Sequence, residues 1–362
     1  GKNIMLRLFS GDKKPGAPGI AQIFWLYNRN VLKSDKLSTN YEELGEWDKG
    51  FSDHYDAKLK DLVDDYEVTR VSAAKSARKK LLWLTPFFLI ITIIGLIITN
   101  WELNESDEYN GVGLLLIFGS YSLILWYVKK SILIYQNSIK NKIFPHILEF
   151  IGPFTFSADV PAQVENFKKS GLIPSYSKET NEDQISGEYS GVKLQLFETH
   201  LQKWKSRGKN SRLVTVFNGL IINLSMNKNF SGKTVIKQDK GAVGNWFGNR
   251  FSGLENVKLE DPEFEDIFEV YSTDQIEARY LLTVSFMERL LELAEIFDNA
   301  EIQICFEDNN LLMIIPLRKP IFEPGPITEP ETFIDDAQSL LKEMHLICQI
   351  VDTLKLNMKL NL

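Results

Sequence analysis

The residues in this chain best suited to chemistry are few and scattered. Phe230-Ser231-Gly232-Lys233-Thr234 ends like a phosphate loop. Such a loop needs a second glycine upstream, where Asn227 stands, and a following helix to aim its backbone amides at phosphate. Val235-Ile236-Lys237 is strand-like instead, so nucleotide binding is not expected. Gly241-Ala242-Val243-Gly244-Asn245-Trp246-Phe247-Gly248 lacks dinucleotide spacing. Trp246 and Phe247 read as loop aromatics that either meet a membrane surface or partner, or fold back onto their own core.

His54, His146, His200 and His345 lie far apart, without the spacing of a zinc-binding helix, and no serine sits in a Gly-x-Ser-x-Gly elbow. The acidic run Asp261 to Glu269 has the density of a solvated face, and no carboxylate pair for acid/base work can be picked from it. Cys305 and Cys348 have no Cys or His at ligand spacing and stand in apolar patterns, which makes them buried, reduced thiols. No catalytic, cofactor-binding or metal-binding residues are therefore assigned, and no cofactor is expected.

One cluster is more specific. Lys203, Lys205, Arg207 and Lys209 fall on alternate positions, with Trp204 beside them and Arg212 just beyond. On a strand, alternate residues share a face. The reading is a basic and aromatic hairpin tip that touches an anionic membrane surface or a partner, the alternative being a plain solvated hairpin. Single-stranded nucleic acid is a poorer fit, because a neighbouring anionic leaflet attracts the same cations.

That leaflet is implied by two apolar segments. Leu81–Thr99 and Gly111–Val128 contain no charged residue, and each is long enough to cross a hydrocarbon core of about 30 Å. Pro86 is expected in the first turns of its helix, where a missing amide costs least. Lys75, Arg78, Lys79 and Lys80 precede the pair, and Lys129, Lys130, Lys140 and Lys142 follow it. The connector Asn100–Asn110 carries Glu102, Glu105, Asp107 and Glu108 and no cation. Basic flanks stay cytoplasmic, so both termini are expected inside. The mean hydropathy of −0.14 and the net charge of −7 conceal this division. Charge is also polarised further on, with 11 Lys+Arg against 2 Asp+Glu in residues 193–250, and 8 against 23 in residues 251–362.

The remaining elements must position the basic tip. Residues 1–39 read as irregular, without the apolar region of a cleavable leader. Residues 40–80 read as an amphipathic helix with Tyr41, Leu44, Trp47, Phe51, Tyr55, Leu59, Leu62 and Tyr66 on one face. Residues 81–128 form the transmembrane hairpin, 129–150 a juxtamembrane helix and 151–362 a cytoplasmic α+β domain. In that domain a short helix over 160–170, strands at 192–197, 213–226, 234–237, 268–271, 301–306 and 311–317, and a helix capped by Thr283 are predicted. Hairpin turns are expected at Arg207–Asn210 and Asp308–Asn310, and Pro320–Pro330 reads as a stiff connector. The last helix, from Glu331 to about Leu356, carries Leu340, Met344, Ile347 and Val351 at heptad spacing. It either packs within the domain or self-associates. The fold class is α+β, mainly an antiparallel sheet plus helices, with a two-helix transmembrane hairpin and a long amphipathic C-terminal helix.

Ile185–Val192, Phe264–Asp274 and Gln275–Leu290 resemble an uncharacterised family of bacterial two-span inner-membrane proteins with a cytoplasmic C-terminal domain. The likeness extends over most of residues 40–320. It implies the topology above and transfers no catalytic residue. Similar members are associated with LemA-type membrane proteins, which implies a partner of that kind. The expected function is a membrane-anchored cytoplasmic binding or scaffold protein. The alternatives are an enzyme acting on a membrane-proximal substrate and a subunit of an oligomeric membrane assembly or channel.

Overall fold

The computed structural model describes residue 26 and residues 40–104, 111–207, 210–226, 229–238, 253–297, 300–317 and 332–360. Two long helices lead into an α+β domain. A helical run opens with the 3-10 turn Glu46–Asp48, an α-helical turn Phe51–His54 and a π turn Tyr55–Leu59, and continues as α1, Lys60–Asn104. Helix α2, Val112–Ile151, packs antiparallel to it.

The start of this run departs from the expected single amphipathic face. Gly50 has φ +84°, a left-handed conformation open to glycine, and it resets the chain before Phe51. Upstream of it Leu44 is exposed, whereas Tyr41, Phe51, Tyr55, Leu59 and Tyr66 are buried. Asp48, a carboxylate, is also buried. Its carboxylate accepts from the Tyr41 hydroxyl and from the Leu44 and Gly45 amides. Pro86 lies well inside α1 rather than in a first turn, so the carbonyl four residues before it loses its amide donor.

Beyond α2 a nine-stranded antiparallel sheet has the order β1-β2-β3-β4-β9-β8-β5-β7-β6. Its strands are β1 Phe154–Val160, β2 Lys178–Tyr189, β3 Val192–Arg207, β4 Asn210–Ser225, β5 Thr234–Gln238, β6 Glu255–Asn256, β7 Phe268–Ser272, β8 Gln303–Glu307 and β9 Asn310–Pro316. The β3, β4, β5, β7, β8 and β9 strands answer to predicted runs. The first two were not foreseen, because Phe154–Val160 and Lys178–Tyr189 are mostly polar and bury few side chains. The predicted helix over 160–170 is a 3-10 segment, Val164–Ser170, closed by Gly171 at φ +80°.

Three helices, α3 Pro262–Ile267, α4 Gln275–Leu281 and α5 Val284–Ile296, precede the last two strands, and α6 Ile334–Leu360 ends the described chain. Thr283 caps α5 by accepting from the Phe286 amide. The central strands are apolar on both faces because both faces are covered. Leu220, Ile222, Leu224, Ile304, Phe306, Leu311, Met313 and Ile315 face the core shared with the helices. Ile221, Val235, Cys305, Leu312 and Ile314 face a smaller cluster closed by Val164, Leu172 and Ile173. The connector Pro320–Pro330 lies outside the described residues.

Candidate functional site

The two helices first meet in their apolar halves. The runs Glu46–Asn104 and Val112–Lys130 are each long and apolar enough to cross a membrane, and only 11% of each apolar window is buried. A buried core helix would show the opposite. Trp83, Phe87, Ile93, Ile97, Leu115, Phe118, Leu123 and Trp126 are exposed. The helices touch through small residues that the sequence reading passed over. A Cβ on Gly113 would overlap Thr99 Oγ1 and the Gly95 carbonyl oxygen, and one on Gly95 would lie 2.8 Å from the Gly113 oxygen. Such residues let backbones approach closely, and packing is the main attraction available between helices in lipid. At the connector, the Val112 amide donates to the Glu102 carboxylate at 3.1 Å. At the other end Lys80 lies over the Tyr127 ring at 4.9 Å and Lys130 over Trp126 at 5.6 Å.

From Val128 onward α2 turns from an exposed helix into a core element, with Val128, Ile132, Tyr135, Ile139 and Ile143 buried. Two buried ion pairs follow. In α1, Arg70 forks onto Glu67 with two contacts of 2.7 Å. In α2, Lys140 reaches Asp183 of β2 at 2.6 Å. Asp183 has φ +54° at a bulge where the β2–β3 register shifts. The bulge re-aims one side chain out of the strand's alternation. Lys140, one of the cations that follow the second span, is buried and paired.

The basic tip is the end of the β3–β4 hairpin. The β2–β3 ladder ends at Lys178↔Gln202, and β4 joins β9 only from Gly219. Lys203–Arg207 therefore has Asn210–Val214 as its ladder partner, a two-stranded arm whose base still meets the 175–177 segment, where Ser177 Oγ accepts from the Trp204 amide at 3.4 Å. Lys203 and Lys205 alternate on one face, and Arg212 is directly across from Lys205. All three are exposed, and Lys203 Nζ donates to Ser175 Oγ at 2.6 Å. Trp204, 55% exposed, lies on the opposite face across from Leu213, so the arm has one basic side and one apolar side. Lys203, Lys205 and Arg212 are the described cations of this face. The Arg207 side chain, Lys209, Trp246 and Phe247 lie outside the described residues.

The heptad residues of α6 are occupied. Leu340, Met344, Ile347 and Val351 are at most 2% exposed inside the chain's own core. They offer no seam to a second copy unless the domain opens.

The phosphate-loop look-alike is filled from within the chain. Glu277 of α4 accepts from the Ser231 and Gly232 amides at 2.6 and 2.7 Å, and strand β5 starts at Thr234. A second carboxylate hub, Glu179, takes the Gln163 and Val164 amides at the start of the 3-10 segment, the Asn181 side chain and the Tyr176 hydroxyl. Burial works against its charge, but the Val164 amide, the Asn181 side chain, the Gln163 amide and Tyr176 outweigh it and hold its carboxyl below the usual range. Burial pushes the Cys305 and Cys348 thiols up to about 12, which leaves them protonated and unreactive near neutrality. His54 bonds the His146 carbonyl, His200 the Thr215 hydroxyl and His345 the Gln349 side chain. Among the described residues no group of three His, Cys, Asp or Glu could hold a metal.

Residues 215–356 match the family model DUF3137, described as a protein of unknown function. The DUF3137 segment runs from within β4 to within α6. It contains Phe264–Asp274 and Gln275–Leu290, which carried the family likeness, while Ile185–Val192 lies outside it. The helices α1 and α2, the strands β1 to β3 and the whole of the arm also precede it. No curated protein matches the chain. Among solved structures, the crystal structure of the mycobacterial trehalose monomycolate transport factor A, TtfA, is similar at 14% identity over 56% of this chain and 88% of that one. Its TM-score of 0.31 is too low for the likeness to carry fold or function.

Proposed function

We propose that this chain is a membrane-anchored binding or scaffold protein of the bacterial inner membrane, with the α+β domain on the cytoplasmic side. The observation that carries this reading is the exposure of two adjacent apolar helical windows whose helices continue without interruption into the domain core. Exposed apolar surface on that scale needs an apolar solvent. The basic side of the hairpin sets its orientation. Lys75, Arg78, Lys79, Lys80, Lys129 and Lys130 flank the domain end, while Glu102, Glu105, Asp107 and Glu108 occupy the connector. Neither window holds an ionisable residue of the kind that marks a proton or ion path, which supports an anchor over a conduit.

Glu179 and Glu277 are engaged in capping backbone amides, and both thiols are buried. A LemA-type membrane protein is the partner that the family likeness suggests. Cysteines introduced singly between Asn100 and Asn110 test the anchor. They should react with a membrane-impermeant thiol reagent added to intact cells. Labelling only after the inner face is opened would overturn the orientation.

A further inference from the structure

We infer that the β3–β4 arm is a lipid-contacting foot, held by the fold at the level of the bilayer surface, where Lys203, Lys205 and Arg212 meet anionic headgroups. The inference rests on the anchor reading and adds a second, reversible contact to it.

The direction of the arm follows from the packing of β1 on α2. Phe144 of α2 stacks near Phe156 of β1 with ring centroids 5.1 Å apart, and the Ala158 amide donates to Asn141 Oδ1 at 3.4 Å. Moving back along α2 towards the apolar window therefore means moving forward along β1. Strand β2 pairs antiparallel to β1, with Val160 beside Asn181, and β3 pairs antiparallel to β2, with Lys178 beside Gln202. The C-terminal end of β3 is thus the end nearest the apolar window, and the arm projects from it.

Its reach can be compared with the helix beside it. The Lys140–Asp183 pair sets residue 140 of α2 level with residue 183 of β2, whose neighbour Glu182 lies opposite Glu198 of β3. From Glu198 to Arg207 the strand advances roughly 30 Å at about 3.3 Å per residue. From Lys140 to Lys130, at the basic and aromatic rim of the window, the helix rises only roughly 15 Å at about 1.5 Å per residue. Twist of about 20–25° per strand turns β3 from β1 by about 45° and still leaves roughly 20 Å of projection. The arm spans the gap.

Its chemistry suits what it would meet there. The three cations lie on one face, and the rise along strand and helix brings them to the level that Lys80, Lys129 and Lys130 mark. Trp204 and Leu213 occupy the other face, and an exposed tryptophan is the side chain most suited to a headgroup layer. The acidic surplus of residues 251–362 falls outside β3 and β4. Beyond a screening length of about 8–10 Å it opposes the contact only weakly.

The test uses the full chain in nanodiscs, with an environment-sensitive fluorophore on Ser206→Cys and the same probe on Ser190→Cys, at the far β2–β3 turn, as control. Spin-labelled headgroups should quench the Ser206 probe strongly in discs rich in phosphatidylglycerol and not the Ser190 probe. The quenching should fall in phosphatidylcholine discs and at high salt. Each cation near an anionic leaflet is worth about fivefold, so Lys203→Gln, Lys205→Gln and Arg212→Gln together should weaken the contact on the order of a hundredfold. Equal quenching in both lipids, or an unaltered triple variant, overturns the inference. If the Asn100–Asn110 cysteines label from outside and the Ser206 probe stays at the Ser190 level, the arm inference alone falls. If those cysteines label only from within, the anchor orientation falls first.

Discussion

Replacing Gly113 by alanine should loosen the helix hairpin although it adds a single methyl. The new Cβ would overlap Thr99 Oγ1 and the Gly95 oxygen and lie 2.7 Å from the Thr99 nitrogen, where ordinary contact begins at 3.4 Å. Two of those three neighbours are backbone atoms and cannot rotate aside, so the helices must part by roughly 1 Å to bring the nearer of them to ordinary contact. A gap of that size forfeits about a quarter to a half of each van der Waals contact across the crossing, and overpacking of this kind costs about 1–3 kcal/mol. Gly119→Ala is the matched control. It lies in the same helix, its Cβ would have nothing within 4 Å, and alanine's helix preference should leave it neutral or up to about 1 kcal/mol more stable. Reversible unfolding of the full chain in mixed micelles measures both. Adding Thr99→Ala to Gly113→Ala should restore only part of the loss, because it removes the hydroxyl and leaves the backbone contacts. Equal stabilities for Gly113→Ala and Gly119→Ala would refute the close approach, and so would full rescue by Thr99→Ala.

Three further outcomes are expected. Lys140→Ala should cost about 3–5 kcal/mol by leaving Asp183 charged in the core, whereas Lys140→Met with Asp183→Asn, which leaves no buried charge and keeps a residue suited to φ +54°, should lose clearly less; equal losses in denaturant titrations would place the pair in water. Leu340→Ala and Ile347→Ala should each lower stability by about 2–5 kcal/mol without changing the mass of the detergent-solubilised particle, since both side chains fill the chain's own core; a change of mass at full stability would restore the self-association reading. Glu179 has a lowered carboxyl pKa when folded, so its contribution is present above the ordinary carboxylate range and is lost as pH falls through the lowered value. Acidification should therefore release the 3-10 segment Val164–Ser170, and Glu179→Gln should flatten that part of the pH–stability curve; hydrogen exchange at the Val164 amide checks both.

What the sequence made legible follows the strength of its periodic patterns. The central strands and the buried stripe of α6 announced themselves by apolar content that only burial explains. The β3–β4 hairpin was visible because Arg207-Gly208-Lys209-Asn210 separates two β-rich runs. Strands β1 and β2 stayed hidden, since much of their order rests on polar bonds such as Thr199 to Asn181 and Glu179 to the 3-10 segment. The sharing of faces on the arm depends on cross-strand register, which pairs Arg212 with Lys205 and sends Trp204 to the other side. Lys140 looked like one more flanking cation because its partner, Asp183, is distant in sequence and reaches it only through a bulge. Gly95 and Gly113 were readable in principle as small residues on facing helices, but their contact needs the register of the hairpin.

The absence of any joint between apolar window and domain turns α2 into a lever. From Val128 to Ile151 the helix extends about 35 Å at about 1.5 Å per residue, and its buried face is fastened to the core along that length. A change of about 10° in tilt, of the size that a thinner or thicker bilayer imposes on a span, would swing the far end of the domain by about 6 Å. With the arm on the surface as a second support, the same change would lift or press that foot. The thickness and the charge of the surrounding lipid would then set the posture of the domain together.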